Sequence, residues 1–156
     1  MTDFDATYTQ ALRDAGRRRA DLHEALVDVE EAISSPAVGR IDSWTADVAK
    51  HLYGLLATID EHVDGTERVG GLYDEIQARA PRLSRHVEAL HAEHPVMRER
   101  TRQLAQRLET EGVGGGWTLD HARDDVQRLL GEIVRHRQRG ADLVYEAYHV
   151  DIGGIE

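Results

Sequence analysis

A chain of 156 residues can build one continuous apolar core and is too short for two ordinary domains, so a single domain over 1–156 is expected. It has no cysteine, which excludes disulfides, thiolate metal sites and cysteine nucleophiles, leaves His, Asp and Glu as side-chain donors for a transition metal, and fits a reducing cytoplasm. The formal net charge of -10 disfavours nucleic acid and anionic lipid as partners; no stretch approaches the roughly 20 apolar residues of a membrane span, and MTDFDATYTQALRD lacks the apolar run of a secretory signal.

Glycines gather at 69–71, 112–116 and the C-terminus, and prolines stand at 36, 81 and 95; these breaks divide the chain into long periodic segments. The first helix is predicted from about 6 to 34, with Leu22, Leu26, Val29 and Ile33 as its apolar stripe and Arg17, Arg18 and Arg19 on a solvated face. SSPAVG ends it. The second starts around 41–43, capped by Asp42 or Ser43, and reaches about 67 with Val48, Leu52, Leu55, Ile59 and Val63 on one side. A short helix over 72–79 follows VGG.

Pro81 suits the first turn of a third long helix, since its missing N–H is not needed there. That helix carries Leu83, Val87, Leu90, Met97, Leu104 and Leu108, and Pro95 predicts a kink or break near His94. GVGGG has neither the preceding strand of a dinucleotide fingerprint nor the Lys-Ser/Thr of a P-loop, and reads as a flexible loop. A fourth helix starts near Thr118 and runs through Val126, Leu130, Ile133, Val144 and Tyr148, with 149–156 as a tail. The pattern predicts an all-α, antiparallel four-helix bundle.

Nine histidines are many for such a chain, and their places on the stripes sort them. At about 100° per residue, His62 follows Ile59 into the second stripe and His94 lies between Leu90 and Met97 in the third, so both are expected to point inward. His23 and His136 fall on the flanks of the first and fourth stripes, and His51 at the margin of the second. His86 and His91 flank His94; His121 and His149 sit near helix ends, towards solvent. Inward imidazoles require hydrogen-bond partners or a metal, and the sequence leaves both open. Tyr53, Tyr73, Tyr145 and Tyr148 are candidates to line such a site or simply to pack around it. No serine sits in a nucleophile-elbow setting.

With these residues in view, the segment from Leu22 to Tyr148 resembles the hemerythrin-like (HHE cation-binding) family, four-helix bundles built around a non-haem di-iron centre. His23 in RRRADLHEAL looks like the first-helix ligand, and His62 with Glu67 in HVDGTERVGGLYDEI like the second-helix pair. His94 in ALHAEHPVM looks like the third-helix ligand with His91 as a weaker companion, and His136 in VRHRQRGADLVYEAY like the fourth. The resemblance implies iron, in a di-iron form, on His62, Glu67, His94, His136 and His23, and binding or sensing of dioxygen, peroxide or nitric oxide.

Two departures mark the ligand pattern. Thr66 holds the inward position where the family has its second-helix carboxylate, and Glu67 is one residue late, so a bulge at Gly65 would be needed to turn it inward. Gly140 and Ala141 stand where a carboxylate should follow His136, while Arg137 falls on the stripe and would seek Glu67 or Glu93. The second reading is therefore a metal-free bundle, an interaction or sensory module whose core His, Glu and Arg residues form a hydrogen-bond network. In LVYEAYHVDIGG, Leu143 and Tyr145 leave the main stripe, and a partner or homodimer surface is expected there.

Overall fold

Burial follows the helical stripes. A computed structural model describes residues 3–150, with side chains from 10 to 149. Its long helices are α1 (Asp3–Ser34), α2 (Ile41–Glu67), α4 (Ser84–Thr110) and α5 (Leu119–Tyr145), with a short α3 (Leu72–Arg79) between α2 and α4. Leu22, Val29, Val48, Leu52, Leu55, Ile59, Leu90, Met97, Val126 and Ile133 are all buried, as their spacing requires. α2 packs on α1 and on α4, α4 on α5, and α5 on α1, so the four long helices close a circuit around one interior. No helix among the described residues is long and apolar enough to cross a membrane.

Local chemistry sets the helix boundaries, in places differently from expectation. α2 begins at Ile41 after Arg40 with no side-chain cap, so neither Asp42 nor Ser43 caps it; Asp42 instead lies in the first turn, where a negative charge favours the positive end of the helix dipole. Thr118 does cap α5, accepting the His121 amide at 3.1 Å. Pro81 opens a 3₁₀ turn, Pro81–Leu83, that leads into α4. α4 then runs unbroken through Pro95. Pro95 and His91 are both exposed, so the His91 carbonyl that loses its donor faces solvent and the helix need not break.

GVGGG is a built turn rather than a loose one. Gly112, Gly114 and Gly115 have positive φ (68°, 140° and 58°), Gly114 pairs with Trp117, and the buried Trp117 ring is covered by the Arg107 guanidinium 4.0 Å from its centroid. At the other end, α5 gives way at Tyr145 to a π turn, Glu146–Val150, that buries Ala147 and Tyr148. Leu143 is buried too, so the expected outer surface there reduces to Tyr145, which is 60% exposed and lies beside His149. Most of the predicted tail, 151–156, lies outside the described residues.

Arg123 ties the start of α5 to the end of α1: its Nε donates to the Ile33 carbonyl at 2.8 Å and its Nη2 to the Ser35 carbonyl at 3.0 Å. A cation hydrogen-bonded to terminal carbonyls satisfies groups the helix cannot, so Arg123→Met is expected to lower stability by about 2 kcal/mol, measured as a shifted urea midpoint at unchanged slope.

The apolar interior forms two clusters. One holds Leu22, Ile59, Met97 and Ile133; the other holds Tyr73, Ile76, Leu90 and Leu143. On α4, His94 lies between Leu90 and Met97, and on α5, His136 lies between Ile133 and Leu143. A polar layer thus separates two apolar ones.

Candidate functional site

Three helices each deliver one histidine to this layer: His62 from α2, His94 from α4 and His136 from α5. One ring nitrogen from each lies within 4.8 Å of the others. Ring centroids are 5.1 Å apart for His62–His94, 5.3 Å for His62–His136 and 5.0 Å for His94–His136, a nearly equilateral arrangement. His94 and His136 are each 1% exposed. The fourth-helix histidine, expected on a flank, is therefore as deep as the third.

Carboxylates outside the triangle set the tautomers of two rings. His94 Nδ1 donates to Glu67 Oε2, and His136 Nδ1 donates to Glu93 Oε1 at 2.7 Å. An ionised carboxylate only accepts, so each Nδ1 carries the proton and each Nε2 keeps its lone pair. His62 Nε2 stands 3.2 Å from His136 Nε2, and the Tyr73 hydroxyl, brought in by α3, stands 3.2 Å from His94 Nε2. The carboxylates are themselves held: His91 Nε2 donates to Glu67 Oε1 at 3.0 Å, and Arg139 Nη2 donates to Glu93 Oε1 at 2.9 Å.

Electrostatics keep the imidazoles neutral. Burial, followed by the neighbouring His94 and His136, holds the His62 pKa down to about 3. Burial also lowers His94 and His136 against the opposing pull of Glu67 and Glu93, respectively. The Tyr73 phenol is pushed up, by burial first, so it remains a proton donor.

Glu67 answers the question raised by its late position. α2 stays α-helical through Glu67, with no bulge at Gly65, and the carboxylate reaches sideways to the outer nitrogen of His94 instead of into the triangle. Thr66 does occupy the inward position: it is buried, and its hydroxyl donates back to the His62 carbonyl at 2.9 Å. His23 does not join the cluster. It is exposed and accepts, through Nδ1, from Arg137 Nη1 at 2.7 Å, so Arg137 turns to the rim and pairs with neither Glu67 nor Glu93.

Glu93, expected as a partner for Arg137, pairs instead with His136 and Arg139. Arg18 was misread as solvated. It sits four residues before Leu22 and so on the first stripe, which is the signal that marks it. A cavity of about 40 Å³ adjoins the cluster, with His62, His136, Tyr73 and Arg18 among its lining.

Three neutral imidazoles with one ring nitrogen each within 4.8 Å of the others could form a donor set for a borderline divalent ion. In a tetrahedral centre with metal–nitrogen bonds of about 2.0–2.1 Å, neighbouring nitrogens are about 3.3–3.4 Å apart. The 3.2 Å between His62 and His136 fits that edge. No family model matches the chain, and no curated protein or solved structure matches it.

Proposed function

We propose that the protein is a hemerythrin-like metal-binding bundle that holds one divalent transition ion, iron in keeping with the sequence resemblance, on His62, His94 and His136. The carrying observation is that one ring nitrogen from each of the three histidines lies within 4.8 Å of the others, with two of the rings fixed from behind by Glu67 and Glu93. The same geometry supports a single ion over two, because both carboxylates are engaged on outer nitrogens and neither is turned inward to bridge two ions. When bound, the ion supplies Lewis acidity and redox capacity towards dioxygen, peroxide or nitric oxide.

The remaining residues would serve such a centre in definite ways. Tyr73 holds a proton on its hydroxyl at the edge of the triangle. The largely apolar wall from Leu22, Leu72, Ile76 and Leu143 limits water around His62 and His136. An antiparallel order of the long helices is supported by cross-links: Arg123 at the start of α5 to Ile33 at the end of α1, Arg107 near the end of α4 to Asp125 near the start of α5, and, in opposite senses along α2 and α4, Tyr53 to Glu109, Asp60 to Arg98 and Glu67 to His91.

One observation favours the second reading, a metal-free network. With Nδ1–H on His136 and His94, a proton on His62 Nε2 can donate to His136 Nε2, and Tyr73 can donate to His94 Nε2, so the inner nitrogens pair without a metal. Reloading separates the two. Purified without a His-tag, chelated and exposed to Fe(II) or Zn(II), the protein is expected to retain about one ion per chain through gel filtration by elemental analysis. Retention below about a tenth of an ion leaves the network reading in its place.

A further inference from the structure

We infer that the cavity beside the histidines is a binding site for a small monovalent oxyanion, anchored by Arg18. Arg18 lines this cavity, and its Nε is buried with no hydrogen-bond partner. Nε is closed off against Gly65, no hydrogen bond reaches the guanidinium among the described residues, and the N–H groups of its Nη edge match two oxygens of a carboxylate or nitrate. The carboxylates nearest in charge are already engaged: Asp14 takes Arg17, and Asp64 takes Arg68. Arg19 and Arg137 also line the cavity, so a chain of net charge -10 has gathered three cations at one opening.

Size selects the ligand. A cavity of about 40 Å³ holds roughly three water-sized spheres, the volume of three or four heavy atoms. Formate and nitrate fit; benzoate does not. The cavity lining holds no carboxylate, so nothing on its wall competes as an anion.

Gly65 makes the site possible. A Cβ there would stand 2.5 Å from Arg18 Cζ and from Nε, so the guanidinium lies directly on the glycine backbone of α2. The obstructing atoms belong to the far end of a flexible side chain. Gly65→Ala therefore evicts the guanidinium while favouring the helix.

The site does not depend on bound metal, and the metal-free protein tests it. Titration with sodium formate or sodium nitrate, against sodium chloride at constant ionic strength, is followed by the Arg18 Nε–H resonance. A saturable shift with formate and nitrate, absent with benzoate, is expected. Arg18→Met and Gly65→Ala are each expected to weaken formate binding at least tenfold, and Arg13→Ala, exposed on the same helix and outside the cavity lining, to leave it within twofold. Metal retention by the same variants is read separately, so a protein that binds no metal but passes this titration refutes only the metal reading. No saturable shift in the wild type, as for a site filled by water, overturns the inference. Equal formate affinity in wild type, Arg18→Met and Gly65→Ala overturns it as well.

Discussion

Alanine at His94 or His136 is expected to weaken metal binding by more than about a hundredfold, beyond the ten- to hundredfold typical of losing an outer-shell partner. Each substitution removes one of three convergent nitrogens, and two nitrogens cannot define the same site. Glu67→Ala and Glu93→Ala are expected to fall within the ten- to hundredfold range, because they leave the ligands in place and remove what orients them. His23→Ala is expected to bind as the wild type does, since His23 is exposed and bonded to Arg137. Competition against a chromophoric chelator measures all five. Circular dichroism of the chelated variants separates lost ligation from lost fold, and an equal loss of affinity in His23→Ala would sink the three-histidine assignment.

The helices were legible because apolar periodicity is a local property: Leu22 to Ile33 and Val48 to Ile59 need no tertiary information to be read as buried faces. The inward direction of His62 and His94 came from the same periodicity. His136 could not be ranked so easily, since a flank position becomes core or rim according to how far the neighbouring helix rotates it, and its 1% exposure is a tertiary outcome. Glu67 and Glu93 were harder still. Their roles depend on side-chain reach across helices, from α2 to α4 and from α4 to α5, which no single-helix wheel contains. Arg18 shows a different limit: three arginines in a row suggest a uniform solvated face, yet a helix turns about 100° per residue, and Arg17 and Arg18 end in different environments.

Metal-free protein is expected to lose stability steadily as pH falls below about 6.5. His62 titrates near 6.5 when unfolded and is held at about 3 in the native state, so between those values the unfolded chain takes up the proton and the folded chain does not. Stability from neutral His62 is thus complete above the unfolded value and declines as pH falls through the window. The slope is about 1.4 kcal/mol per pH unit for one imidazole, and the full interval from about 6.5 to about 3 amounts to about 5 kcal/mol. His94 and His136 act in the same direction, because burial lowers both. Against a total of about 5–15 kcal/mol for an ordinary domain, a loss of this size is a large fraction of the folding free energy. Urea midpoints of chelated protein at several pH values from neutrality downward measure the slope. His62→Gln, whose side chain does not titrate, is expected to flatten it, and a wild-type profile that is level from neutrality to about pH 5 would contradict the neutral, buried state of the cluster. Bound metal is expected to add stability at neutral pH and to lose that advantage over the same range, because protons and metal compete for the same three lone pairs.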